Sequence, residues 1–504
     1  MNLLELSDDL YLKHGDYQAL FFEGRWYSSF ELRDMHLRIA GALQKLGVEP
    51  NDRVAVMTPN CPEVGATYAG CWRIGAVPVP ILFLLAPPEV KHILTDCEPK
   101  AVITSIEFLP TIQQAVTDLA WKPEIILIGS DSPAGTHALD QLLAAAEPRE
   151  KIEPRADDEL SGILYTGGTT GRPKGVMLTH GGMVAVSEAA MALGEFEDDK
   201  VGLGALPLAH GYGILTSLIA MRLKGRGVLM RWFIPDEALR LIEEHRVQLF
   251  AAVPTMLVMI LNHPDLDKYD LSSLERVSSG AAPCPLELMQ EFERRFGVEI
   301  LEGYGLTEST IVCCSQRRTE PRVIGSVGKA WPGFTVEILD DDNNELPQGE
   351  LGEICIKGPN VMKGYYNLPD KTAEVVRDGW LHSGDIGRQD AEGNFYVVER
   401  KKDLIIRGGL NIYPRDVEEV LFEHPAIAEA AVIGKPDPQY GEDVVAFVVR
   451  RAGKEVSEDE VLSFCREKLA KYKSPKEVVF VDSLPKSGVG KVLRRELREM
   501  AVAR

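Results

Sequence analysis

The stretch YTGGTTGRPKGVMLTH, residues 165–180, sets threonine hydroxyls, Arg172 and Lys174 among glycines that leave backbone N–H groups open. Hydroxyl and amide donors beside two cations are suited to gripping a polyanion, above all a chain of phosphates. Residues 160–165 before the loop are apolar and read as a short strand. The segment from about Gly182 reads as an amphipathic helix, which makes this a strand–loop–helix grip. The loop is not a Walker-type P-loop, because that pattern needs glycine directly before its lysine. Here Pro173 precedes Lys174 and Gly175 follows it, and no G-x-G-x-x-G run is present either. A plain glycine turn would explain the glycines but not the hydroxyls beside Arg172 and Lys174.

The surrounding chain alternates strands with helical patterns. RVAVMTPN (53–60), KAVITS (100–105) and EIILIG (124–129) are apolar strand candidates separated by helix-period segments. Residues 161 to about 310 continue the pattern, with GVLMRWF, LFAAVP and RVSSGAAP as buried strands. Such alternation predicts a parallel sheet covered by helices, a doubly wound α/β body. From about 321 to 400 the texture becomes glycine-punctuated alternating strands, which predicts an antiparallel sheet or barrel. Residues 401–504 read as a small α+β domain. A helix starts just after Pro414, VVAFVVR is a strand, and Ser457 is placed to cap a further helix. The polar run ERKKD (399–403) is the candidate linker, so the large domain covers 1–400.

Composition excludes some partners. Lys plus Arg number 55 and Asp plus Glu 76, a net charge of −21. So acidic a chain is unsuited to sequence-independent nucleic-acid binding or to anionic membranes. Eight cysteines lie at 61, 71, 97, 284, 313, 314, 355 and 465 without a C-x-x-C pair. Buried free thiols in a reducing compartment follow, rather than a zinc site or a disulfide framework. The N-terminus lacks a basic segment followed by an apolar run, and the apolar run at 79–86 is far short of the ~18 residues of a membrane helix. The expected location is the cytoplasm.

With GYGLTES (303–309), HSGDIG (382–387), ERKKDLIIRGGLNIYP (399–414) and PKSGVGK (485–491) in register behind it, the loop resembles the signature of the adenylate-forming enzymes. That superfamily includes acyl-CoA synthetases, firefly luciferase and peptide-synthetase adenylation domains. The likeness covers the chain from about residue 160 to the C-terminus. It implies a large body, a small mobile C-terminal domain and ATP, Mg²⁺ and coenzyme A as cofactors. It also implies attack of a carboxylate on the α-phosphorus of ATP, followed by capture of the acyl-adenylate by a thiol. Joining two anions makes the first barrier largely electrostatic.

By the same resemblance, Thr169, Thr170 and Lys174 would hold the β- and γ-phosphates while Gly168 and Gly171 let backbone N–H groups approach, and Thr166 is counted with them as nucleotide-binding. Gly167 stands where the family more often has serine, so one donor is missing. Tyr304 and Gly305 are expected against adenine, with Gly280, Ala281 and Ala282 as the other wall. Thr307 is expected at the α-phosphate and Glu308 on Mg²⁺. Asp385 would accept both ribose hydroxyls, with Arg400 nearby. Lys491 would reach the carboxylate and α-phosphate from the small domain, which would then rotate about Lys402. Rotation would bring Gly408 and Gly409 to a pantetheine channel, with Tyr472 and Lys476 on the CoA nucleotide. Arg407 and Leu410 replace the family's common serine and glutamate, and Arg407 suits a phosphate-bearing thiol.

LPLAHGYG (206–213) resembles the acyl-pocket motif, with His210 at the pocket mouth. No acid follows to pair an amino group, so an amino acid is disfavoured. Gly211, Gly213 and Ile214 leave room for a chain, and Trp232 is either a tunnel gate or a core aromatic. A medium- or long-chain fatty acid is the first expectation. An aryl or alicyclic acid, or transfer to a carrier-protein phosphopantetheine, is the alternative. A non-catalytic nucleotide-binding relative is disfavoured because Glu308 and Lys491 are both present. A homodimer is compatible with the reading.

Overall fold

The computed structural model describes residues 1–502 apart from Asp9, residues 168–171, Ala452 and residues 487–491. Gly168, Thr169, Thr170, Gly171 and Lys491 therefore lie outside the described residues.

The first α/β unit is a five-stranded parallel sheet. Its order is Val77–Pro80, Arg53–Met57, Ala101–Thr104, Glu124–Leu127 and His137–Ala138. Val77–Pro80 and Ala101–Thr104 are buried along their whole length, as helices on both faces require. A second, nine-stranded sheet runs parallel through Ile300–Tyr304, Arg276–Ser279, Leu249–Ala252, Val201–Gly204 and Arg226–Leu229. The N-terminal strand Gln18–Phe22 joins it in parallel beside Arg226–Leu229. The β-rich region forms an antiparallel sheet of Thr335–Leu339, Gly352–Lys357, Trp380–Gln389 and Val376–Arg377, with Phe395–Arg400 paired to Trp380–Gln389.

Residues beyond 404 build a separate sheet of Leu410–Ile412, Ile405–Arg407, Gly441–Arg450, Ile427–Asp437 and Glu477–Phe480. Two apolar clusters drawn only from this region cover its faces, one under the helices Pro414–Phe422 and Glu458–Lys468, the other under Arg494–Val502. Ser457 caps Glu458–Lys468 in a reciprocal box with Glu460, as its spacing implied. The expected linker is less free than its polarity suggested: Glu399 and Asp403 are buried. Arg498 pairs with Asp403 at 2.7 Å and Arg494 with Glu418 at 2.7 Å, so the last helix is tied to the turn after Phe395–Arg400 and to the helix Pro414–Phe422.

All eight cysteines are buried without disulfides. Among the described residues no helix is long and apolar enough to cross a membrane. Two histidines are structural. His180 accepts from the Leu3 N–H at 3.0 Å, and His36 Nε2 faces the Arg73 guanidinium at 3.3 Å. Burial lowers both imidazoles from 6.5 to about 3, with a nearby arginine adding to the effect. Their contribution is full above pH 6.5 and is lost as pH falls toward 3, because only the unfolded chain takes up these protons in that window. Thermal unfolding should record a midpoint that drops through this range. The His180→Asn variant, which keeps an acceptor for Leu3, should drop less steeply.

Candidate functional site

The glycine loop joins two antiparallel strands, Leu160–Thr166 and Lys174–Thr179, with Thr166 opposite Lys174. This corrects the strand–loop–helix expectation. Val176 and Leu178 are buried in alternation, a period of two that makes KGVMLT a strand. The helix begins at His180 rather than Gly182, with the Thr179 hydroxyl accepting from the Gly182 N–H at 3.0 Å. A third strand, Gly364–Tyr365, flanks Lys174–Thr179 and sets Tyr365 behind the loop. The Lys174 ammonium lies 4.0 Å from the centre of the Tyr365 ring. The Tyr365 hydroxyl donates to Glu308 Oε1 at 2.8 Å. Lys174, Tyr365 and Glu308 thus form one cluster, and Tyr365 is a residue that sequence reasoning missed.

A second cluster gathers at the end of Ile300–Tyr304. The Tyr304 hydroxyl donates to Asp385 Oδ2 at 2.7 Å, and Arg400 Nε lies 3.1 Å from Asp385 Oδ1. Strand register places Asp385 opposite Arg400, which is why residues fifteen apart meet. Burial raises the Tyr304 phenol well above its usual range, and Asp385 adds to the rise, so the hydroxyl keeps its proton. Thr307 and Glu308 sit in the single turn Thr307–Ser309 just beyond. Gly305 permits that turn, because a Cβ there would lie 2.3 Å from the Ile311 carbonyl oxygen. The turn expected as the other wall follows Arg276–Ser279, the strand paired beside Ile300–Tyr304. Ala281 there has φ +66°, Ala282 follows it, and Gly280 backs onto the Tyr212 ring at 3.3 Å from a would-be Cβ.

Buried Glu353, Cys355 and His382 have the spacing of metal ligands. Arg377 lies 2.8 Å from His382 Nδ1 and Lys401 lies 3.4 Å from Glu353, so two cations already occupy the place of an ion.

His210 caps the helix Gly211–Ala220, its Nδ1 accepting from the Tyr212 N–H at 3.2 Å. The expected room beside it is partly filled. A Cβ on Gly213 would stand 2.2 Å from the Pro207 carbonyl oxygen, and Ile214 is buried in the main core. Gly213 is therefore demanded by close backbone approach. Trp232 is no core aromatic: it is 43% exposed, with its ring 6.4 Å from that of Phe83.

In the small domain, Gly408 and Gly409 make the two-residue turn between Ile405–Arg407 and Leu410–Ile412, with φ of +59° and +82°. Both glycines are thus required by the hairpin itself. Arg407 is not available to a phosphate: it pairs with Asp443 at 3.0 Å and donates to the Tyr472 carbonyl at 3.0 Å. Lys476 pairs with Asp437 at 2.9 Å and Asp443 at 3.0 Å, while the Tyr472 ring and Leu410 are partly exposed. Lys402 lies in the short turn between Phe395–Arg400 and Ile405–Arg407.

Comparison with known proteins agrees with this architecture. The model described as AMP-binding enzyme matches residues 11–366, and that of the AMP-binding enzyme C-terminal domain matches residues 416–491. A long-chain-fatty-acid–CoA ligase of Bacillus subtilis (strain 168) is 39% identical, covering 99% of this chain and 94% of its own. A feruloyl-CoA synthase of Amycolatopsis sp is also 39% identical, covering 93% of this chain and 92% of its own. The crystal structure of ATP-bound MatB from Rhodopseudomonas palustris matches with a TM-score of 0.91 at 34% identity, covering 99% of each chain.

Proposed function

The chain belongs to the AMP-binding enzyme family, and on that premise we propose that it joins a medium- or long-chain fatty acid to coenzyme A through an acyl-adenylate. It is an AMP-forming acid–thiol ligase that uses ATP, Mg²⁺ and coenzyme A. The observation that carries the mechanism is the pair of clusters around Glu308 and Asp385, four residues and eighty-one residues along the chain from Tyr304.

Asp385, oriented by Tyr304 and Arg400, keeps acceptor capacity for ribose hydroxyls, since a carboxylate oxygen offers more than one lone pair. Tyr304 and the Gly280–Ala282 turn bracket the base. Thr166, Lys174 and the loop between them take the terminal phosphates. Thr307 faces the α-phosphate. Glu308 is a hard oxygen donor held by the Tyr365 hydroxyl, a donor that fits Mg²⁺. Bound there, Mg²⁺ would neutralise phosphate charge. Lys491 supplies the remaining positive charge at the carboxylate, and His210 stands at the acid's entrance. After adenylation the small domain turns about Lys402 and presents Gly408 and Gly409 to the thiol.

The fatty-acid assignment is supported by the likeness to the Bacillus ligase along 99% of the chain. An apolar pocket gains about 0.8 kcal/mol for each methylene buried, roughly fourfold in affinity. Pyrophosphate exchange over a panel of acids should therefore give kcat/KM rising along a straight-chain series to a plateau at medium or long length. A maximum at benzoate-like acids with no gain from extension would overturn it. That second reading, an aryl acid, is supported by the 39% identity to the feruloyl-CoA synthase along 93% of the chain. Competition between CoA and a phosphopantetheinylated carrier protein should favour CoA.

A further inference from the structure

The helix Pro87–Cys97 belongs to the first α/β unit, yet one of its faces serves the phosphate loop. Val90, Ile93, Leu94 and Cys97 are fully buried at helical spacing, which fixes the helix against its own sheet. His92 and Asp96, one turn apart, lie off that buried stripe. His92 Nε2 lies 3.0 Å from the carbonyl oxygen of Pro173. A carbonyl oxygen only accepts, so Nε2 carries the proton. Asp96 Oδ2 accepts from the Tyr165 hydroxyl at 2.6 Å. Pro173 directly precedes Lys174, and Tyr165 directly precedes Thr166, the register pair that closes the loop. Asn367 donates to the Asp96 carbonyl and Oδ1 at 3.1 and 3.2 Å, while the Tyr366 N–H donates to the Gly175 carbonyl at 2.7 Å. The two arms are thereby held from outside their own hairpin.

We infer that His92 and Asp96 are positioning residues for adenylation, one helix face holding both arms of the phosphate loop so that Thr166 and Lys174 meet ATP already spaced. Groups held at their bound spacing before a ligand arrives lose less freedom on binding, and fixed arms supply that spacing. The inference rests on the reading of residues 166–174 as the phosphate loop.

The test measures ATP–pyrophosphate exchange, the thioester half-reaction from supplied acyl-adenylate, and thermal stability for His92→Ala, His92→Gln, Asp96→Ala, Asp96→Asn and Lys174→Ala. His92→Ala and Asp96→Ala should each raise KM for ATP about three- to tenfold, the range expected for one lost hydrogen bond, and leave KM for the acid unchanged. The thioester half-reaction should proceed at the parent rate. His92→Gln retains a donor for Pro173, and Asp96→Asn retains an acceptor for Tyr165, so both should recover most of the ATP affinity. Equal impairment of alanine and amide variants would overturn the inference. So would KM values for all substrates rising together with a fall in stability. Lys174→Ala separates the two readings. If it weakens ATP use while the alanine variants at 92 and 96 do not, the positioning role fails and the loop assignment stands. If it has no effect on ATP use, the loop assignment fails, and this inference with it.

Discussion

Lys491→Ala is expected to slow ATP–pyrophosphate exchange by about 10²–10³-fold, while conversion of supplied acyl-adenylate to acyl-CoA continues near the parent rate. The reason is that adenylation brings a carboxylate to a phosphate, and the barrier is lowered by positive charge placed where the two anions meet. The second half-reaction has no such encounter, and in the proposed mechanism it uses the Gly408–Gly409 turn instead. The surrounding structure supports a local effect. Lys486 and Val492 bridge on either side of residues 487–491, and Leu493 N–H donates to the Pro485 carbonyl at 2.9 Å. Lys486 pairs with Glu429 at 2.7 Å, and Arg494 holds its charge among Glu418, Glu399 and Asp403 despite burial. The base of the segment is thus anchored without Lys491, and its removal deletes a charge rather than a fold. Lys491→Arg should recover little, because a planar fork does not replace a compact ammonium on a flexible stem. Equal loss of both half-reactions in single-turnover experiments would overturn the assigned role.

What the sequence made legible follows from how local each signal is. The strands Arg53–Met57, Ala101–Thr104 and Glu124–Leu127 are readable because a parallel strand covered on both faces is a continuous apolar run. Ser457 is readable because its partner Glu460 is three residues away. The second arm of the glycine loop is hidden in the sequence because VML stands inside a glycine-rich stretch that reads as loop, and only pairing with Leu160–Thr166 reveals the strand. Tyr365 and His92 were invisible for a related reason. Tyr365 meets Glu308 across 57 positions and His92 meets Pro173 across 81, and neither spacing carries a periodic signal. The short GYY segment, apolar and glycine-led, was the one hint of a pairing strand there. Arg407 failed in the opposite sense: a cation near a phosphate-bearing substrate looks functional until its buried partner Asp443 is known. Motif order therefore shows the family, whereas the partners of each motif residue needed the third dimension.

Replacing Gly409 with leucine should spare ATP–pyrophosphate exchange and reduce thioester formation by about 10²-fold, the scale of a misplacement of roughly 1 Å at a reacting centre. The asymmetry comes from the state of the small domain. In the present arrangement a Cβ on Gly409 meets nothing within 4 Å, so added bulk costs adenylation nothing by contact. After rotation the same turn lines the proposed thiol channel, and a leucine side chain would fill it. Backbone strain is the competing cause, since φ is +82° at this position and a branched residue there costs about 1–2 kcal/mol. Gly409→Asn separates the two, because asparagine tolerates the left-handed turn and adds a smaller side chain. If bulk in the channel is the cause, Gly409→Asn keeps the parent melting temperature and still loses part of its CoA turnover, with Gly409→Leu losing far more. If strain is the cause, Gly409→Asn turns over CoA like the parent and only Gly409→Leu melts early. Normal CoA turnover in a folded Gly409→Leu enzyme would remove this turn from the thioester step and with it the rotation about Lys402 proposed for this chain.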